Sequence, residues 1–178
     1  MDGEIRVSDI QEVDIIDLLG RDPVPPVPEL LAKNIQNKMV LVTGAGGSIG
    51  SELCRQIVKN KPKALVIYEL TEFALYSIDK ELRLNSDVTI IPILGSVLDQ
   101  AKLERVMEQY AIQTVYHAAA YKHVPLVECN PLAGLKNNAI GTSFSLNAAV
   151  KTGVETFVLI STDKAVRPTN VMGAVSYT

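Results

Sequence analysis

The sequence predicts an α/β fold, a doubly wound parallel sheet with helices on both faces, and three observations predict it. Short, nearly unbroken apolar runs recur along residues 39–161. Between them lie longer stretches whose apolar residues recur at helical spacing. A glycine cluster sits where the first run gives way to the first such stretch. Strands apolar on both faces and separated by amphipathic helices belong to a sheet covered from both sides.

The elements follow in order. "MVLVTG" (39–44) is the first strand, ended by glycine, and "SIGSELCRQIVKN" (48–60) the first helix, with Ile49, Leu53, Ile57 and Val58 at helical spacing. "ALVIYE" (64–69) and "TEFALYSIDKELRL" (71–84) are the second strand and helix. "VTIIPILG" (88–95) and "VLDQAKLERVMEQY" (97–110) are the third pair. "TVYHAAA" (114–120) is the fourth strand, a long helical stretch covers 131–152, and "TFVLIS" (156–161) is the fifth strand. Right-handed crossovers then predict the strand order 3-2-1-4-5. Little chain follows the fifth strand, so the fold is expected to be incomplete on its C-terminal side, with exposed apolar surface that favours self-association or poor solubility.

Residues 1–38 read differently, as an N-terminal arm or linker, because Pro23, Pro25, Pro26 and Pro28 remove amide donors and favour extended backbone. The 178 residues suit one domain with such a leader. A net charge of -3 offers no basic face for a phosphate backbone, so nucleic acid is disfavoured as a partner. Cys54 and Cys129 lie apart and without neighbouring ligands, which points to reduced thiols, no metal site and a cytoplasmic setting. No apolar run reaches the ~18 residues of a membrane span, so no membrane contact is expected from this segment.

"TGAGGSIG" (43–50) carries the strongest chemical signal. Glycines at 44, 47 and 50 let the backbone approach a pyrophosphate, which then meets the free N–H groups and dipole of the helix that follows. Gly44, Gly47, Ser48, Ile49 and Gly50 are therefore candidate cofactor contacts. Glu69 closes the second strand, 19 positions after Gly50, where a carboxylate can accept from both adenosine ribose hydroxyls and repel a 2′-phosphate. With no arginine directly behind it, NAD is favoured over NADP. The plainer reading of Glu69 is a solvated carboxylate at a strand end.

The Gly-x-x-Gly-x-x-Gly spacing resembles the short-chain dehydrogenase/reductase superfamily in its extended branch, a Rossmann-type fold acting on nucleotide sugars. "LGSVLD" (94–99) resembles that branch's adenine-contacting strand end, which implicates Ser96 and Val97, although an acid is usual at Ser96. "HAAAYKHVPLVE" (117–128) resembles the loop beside the nicotinamide and implicates Ala118, Ala119 and Ala120. "NNAIGT" (137–142) resembles the helix whose asparagine is structural, here Asn138.

The longer match, these stretches with "STDKAVRPTNVMGA" (161–174), resembles the polysaccharide-biosynthesis 4,6-dehydratases acting on UDP-N-acetylglucosamine. "DLLGRDPV" (17–24) is similar to the join before the catalytic domain in that group's long members, which are anchored at the inner membrane. The resemblance implies that hydride leaves C4 of the sugar for NAD⁺, water is lost across C5 and C6, and hydride returns to C6. It implies Lys164 as the C5 base with a pKa lowered by burial or positive neighbours, Asp163 as the acid at O6 with a raised pKa, and Thr162 on the C4 oxygen. Lys122 assists at the sugar or nicotinamide side. Met172 occupies the slot where the superfamily places its tyrosine, and Ser176 the slot of the ribose-gripping lysine; Tyr177 lies five positions beyond the tyrosine slot. His117 and His123 are read as structural or hydrogen-bonding residues. The resemblance also implies a truncated catalytic domain that lacks its substrate lobe and turns over weakly, and its implied partners are a UDP-sugar and, for a whole enzyme, a second copy. A nucleotide-sugar epimerase and a non-catalytic nucleotide-binding module are the alternatives.

Overall fold

The computed structural model describes residues 27–176. The "DLLGRDPV" stretch, Pro23 to Pro26 and Tyr177 lie outside the described residues. Residues 28–35, expected as part of an extended arm, form helix α1 (Pro28–Ile35). Proline at the first helical position lacks only an N–H that no helix would use, Glu29 and Lys33 suit the two ends of the dipole, and Leu31 and Ile35 pack inward one turn apart.

The sheet elements follow as β1 (Met39–Thr43), α2 (Ser48–Lys59), β2 (Ala64–Glu69), α3 (Glu72–Asn85), β3 (Ile90–Leu94), α4 (Gln100–Gln109) and β4 (Thr114–His117). After β4 come α5 (Val124–Cys129), α6 (Pro131–Gly134), a π-helical turn (Leu135–Ile140), α7 (Gly141–Thr152) and β5 (Thr156–Leu159). A 3-10 turn (Asp163–Ala165) and α8 (Val171–Ala174) complete the described chain. All pairings are parallel and the strand order is β3-β2-β1-β4-β5, as the crossover rule predicts.

Side chains alternate across the strands and divide the core into two layers. Val40, Val42, Leu65 and Ile67 pack beneath α1, α2 and α3 with Ile35, Cys54, Ile57, Leu75, Ile78 and Leu82. Leu41, Val66, Tyr68 and Val115 face the other way, against Leu103 and Met107 of α4 and Ala148 and Ala149 of α7. The inward face of α2 is Gly50, Cys54 and Ile57, while Ile49, expected in its apolar stripe, is 52% exposed. Burial pushes the Cys54 thiol up to about 12, so it is an inert core group. Among the described residues β5 pairs only with β4, and its Phe157 and Val158 are half-buried.

The expected helix over 131–152 is continuous but not uniform. Its π-helical turn widens the backbone just where Asn137 and Asn138 face inward, both buried. Such turns change the aim of the side chains they carry. α1 closes the opposite end of the sheet: Thr114 Oγ1 donates to Asn34 O at 2.7 Å, and Lys38 pairs with Glu155.

Candidate functional site

Ligands of open α/β sheets settle at the carboxyl ends of the strands, and that end holds a cleft of about 960 Å³. Its lining joins Gly47, Ser48, Ile49 and Gly50 on one side to Thr162, Lys164 and Met172 on the other. Ala118, Ala119, Ala120 and Lys122 run between them, with Asn138 behind. A smaller recess of about 280 Å³ continues from it, lined by Gly44, Glu69, Ser96 and Val97. Gly47, Thr71 and residues 118–121 border both spaces.

The glycine loop is shaped by what a side chain would strike. Gly44 has φ +66, and a Cβ there would lie 2.8 Å from Ala118 O and from Ala119. A Cβ on Gly50 would lie 2.0 Å from Gly44 O, so only glycine lets α2 close onto the loop. No side chain caps the amino end of α2. Lys122 Nζ reaches it from the β4 side and donates to Ser48 Oγ at 2.5 Å. A lysine beside free helix N–H groups places positive charge twice over at one point.

Glu69 braces the same loop. Its Oε2 accepts from Gly46 N at 3.0 Å, and Oε1 from Leu70 N at 2.9 Å and Thr71 N at 3.0 Å. A carboxylate has about four acceptor positions, so one remains for an incoming hydroxyl. Beneath it, the buried Tyr68 donates through its hydroxyl to Ser96 O at 2.9 Å, and burial pushes that phenol up to about 12. Ser96 Oγ accepts from Leu98 N at 3.2 Å, so the serine shapes the turn below Val97.

Loop 118–122 is held from behind. Asn138 Oδ1 accepts from Tyr121 N at 2.8 Å, and its Nδ2 donates to Tyr121 O at 3.0 Å. Asn137 Nδ2 donates to Asn138 Oδ1 at 3.0 Å. The side chain of Asn138 thus imitates a strand partner for Tyr121, made possible by the π-helical turn.

The corner after β5 differs from expectation. Lys164 and Thr162 line the cleft, but Asp163 points out of it, with its side chain 90% exposed. The expected raised carboxyl is reversed: a hydrogen bond from Thr162 Oγ1 at 3.1 Å and the nearby Lys164 charge hold Asp163 below the usual carboxylate range. The burial expected around Lys164 is also missing, since its side chain is 51% exposed and its Nζ lies 3.9 Å from Asp163 Oδ1. Met172 is buried in the cleft wall, and Ser176 donates to its carbonyl at 2.8 Å.

Several lining residues were not singled out in the sequence. Thr71 stands just ahead of α3, Leu126 lies on α5, Ala133 on α6 and Thr142 on α7. Leu126 and Thr142 fall inside stretches read as motifs, and Thr71, just ahead of a helical run, carries the signal of an N-cap. No carboxylate lines the larger cleft among the described residues, and the only one on the recess is Glu69. The site is thus cationic at the helix end and acidic at the far end of β2, an arrangement that suits a phosphate flanked by a hydroxyl-bearing sugar. Among the described residues no cluster of side chains could hold a metal ion. No helix among them is long and apolar enough to cross a membrane.

Comparison with known proteins agrees with this reading of the fold. The family described as "Polysaccharide biosynthesis protein" matches residues 40–177. The capsular polysaccharide biosynthesis protein CapD of Staphylococcus aureus is 44% identical over 176 residues, 98% of this chain and 29% of the relative. A UDP-N-acetylglucosamine 4,6-dehydratase (inverting) of Campylobacter jejuni is 36% identical over 141 residues, 77% of this chain and 40% of the relative. Among solved structures, UDP-glucose 4-epimerase from Brucella ovis in complex with NAD matches with a TM-score of 0.66 and 25% identity, over 79% of this chain and 45% of that one. The chain spans 29% and 40% of the length of these two curated relatives.

Proposed function

The chain belongs to the polysaccharide biosynthesis protein family, and on that premise we propose that it is the NAD-binding portion of a nucleotide-sugar 4,6-dehydratase acting on UDP-N-acetylglucosamine. The observation that carries this reading is the shared cleft, in which the glycine loop, Lys122, Thr162 and Lys164 line one space.

The dinucleotide fits the residues present. The uncapped amino end of α2 and Lys122 would hold the pyrophosphate, and the remaining acceptor of Glu69 an adenosine ribose hydroxyl. When bound, the nicotinamide supplies a hydride acceptor and donor. The chain's own work is positioning and proton transfer. Thr162 holds the C4 oxygen and Lys164 removes the C5 proton, and Asp163, whose side chain points out of the open cleft, would have to turn inward to deliver one to the departing C6 hydroxyl. Asp163 is held low while exposed, and Lys164 stands half-exposed beside it. Covering the corner with substrate would desolvate both, lowering the lysine and raising the carboxyl. Met172 holds no proton to exchange, so it contributes an apolar wall.

Two measurements test the reading. Titration of the chain with NAD⁺ and NADP⁺ should show at least ~10-fold tighter binding of NAD⁺. Equal affinity, or none, removes the cofactor assignment. For the reaction, this segment is exchanged for its counterpart in the S. aureus CapD relative, and the chimera is given UDP-N-acetylglucosamine deuterated at C4. A dehydratase releases a product short of one water with deuterium at C6. An epimerase, the second reading because the Brucella neighbour is one, keeps both the water and the label at C4.

A further inference from the structure

His117 ends β4 beside Thr43, its register partner at the end of β1, and both face α7. The imidazole is buried, stacked on Phe157 with ring centroids 5.9 Å apart. Its two nitrogens have one partner each: Nδ1 lies 2.8 Å from Thr43 Oγ1, and Nε2 lies 3.1 Å from Thr142 Oγ1.

The direction of each bond follows from a third contact. Thr142 Oγ1 lies 2.5 Å from Asn138 O, a separation that two oxygens hold only with a proton between them, and a carbonyl has none to give. The single hydroxyl proton of Thr142 therefore points at that carbonyl, so the oxygen must accept from His117 Nε2–H. With its proton on Nε2, the ring accepts at Nδ1, and Thr43 donates. The hydrogen bonds run one way, from Thr43 through His117 and Thr142 to the carbonyl of Asn138. The side chain of that same Asn138 clamps both backbone groups of Tyr121, next to Lys122.

We propose that His117, held neutral as the Nε2–H tautomer, is a positioning residue that locks the glycine loop to the loop bearing Lys122. One end of the chain is the residue before Gly44, and the other is the turn that carries Asn138. Its effect on cofactor binding rests on the dinucleotide reading above, whereas the lock itself does not. Burial supports the neutral form by driving the imidazole down to about 4.

The lock is tested by nitrogen-15 NMR of the chain, whose two histidines are told apart with H123Q. His117 should carry its proton on Nε2, unchanged from pH of about 8 to about 6, and a proton on Nδ1 overturns the proposal. Amide exchange at Tyr121 and NAD⁺ affinity are then followed in H117F, H117Q and T142V. H117F and T142V should speed Tyr121 exchange and weaken NAD⁺ by roughly tenfold or more, while H117Q, which keeps a donor for Thr142, should recover most of both. If H117F does not fold, T142V decides. A folded H117F or T142V with wild-type protection at Tyr121 sinks the lock. Loss of protection in a chain that never bound NAD⁺ sustains the lock and sinks the dinucleotide reading instead.

Discussion

The glycine-loop side of the cleft and the corner after β5 are built to opposite specifications. On the first side, buried strands, a carboxylate with three N–H partners and glycines with no room for a methyl group set the backbone before any ligand arrives. On the second, Asp163 and Lys164 stand in water, with Arg167 in left-handed backbone at φ 52 just beyond. Under the proposed function the contrast separates binding from chemistry. A phosphate needs fixed donors, and the glycine-loop side has its backbone set in advance. An acid and a base with shifted proton affinities would need a dry pocket, which Asp163 and Lys164 lack until something covers them.

The comparison breaks most decisively at Gly50. G50A places a methyl 2.0 Å from Gly44 O and should cost about 3 kcal/mol of stability with loss of NAD⁺ binding, read by thermal melting and titration. A G50A chain that melts and binds normally would show the loop to be pliant. Nearly as large is the expected response to acid. The His117 imidazole falls from the ordinary 6.5 to about 4 on folding, so the unfolded chain takes up this proton first as pH drops. Its stabilising share is complete above about pH 6.5 and is lost as pH falls towards 4, a change of roughly 3 kcal/mol. H117Q should flatten that interval of the stability profile, whereas the lowered carboxylates Glu81, Glu104 and Glu155 act at still lower pH.

E69Q comes next. Exchanging one acceptor oxygen for an amide donor opposes the N–H groups it faces, and NAD⁺ affinity should drop by about 2 kcal/mol, measured calorimetrically. K164A should do least, leaving melting within about 0.5 kcal/mol and NAD⁺ affinity unaltered, because its contact to Asp163 is long and solvated. A destabilised K164A chain would erase the distinction between the two regions.

Legibility in the sequence divides along the same line. Strand order and the places of the glycine loop and Glu69 at the ends of β1 and β2 could be read, because each depends on local spacing and on a crossover rule that permits one hand. Helix α1 was hidden by a proline-rich neighbourhood, although Pro28 followed by Glu29, Leu31 and Ile35 is a helix start. Ile49 misled because apolar periodicity cannot tell a core stripe from the rim of a ligand cleft. The outward aim of Asp163 depends on a single 3-10 turn, and adjacent residues point apart there for reasons no motif records. The π-helical turn left no mark either, since its composition is that of an ordinary helix; only the way Asn138 meets Tyr121 reveals it.

Helix α1 grips the sheet through Asn34 at the starts of β4 and β5, whereas the cleft opens at their ends. The seat of α1 and the entrance for small molecules therefore lie at opposite poles. A surface tether or fluorescent reporter attached at Lys33, exposed on α1, would leave that mouth clear, and a chip coated with the chain in this orientation would present every molecule open side outward.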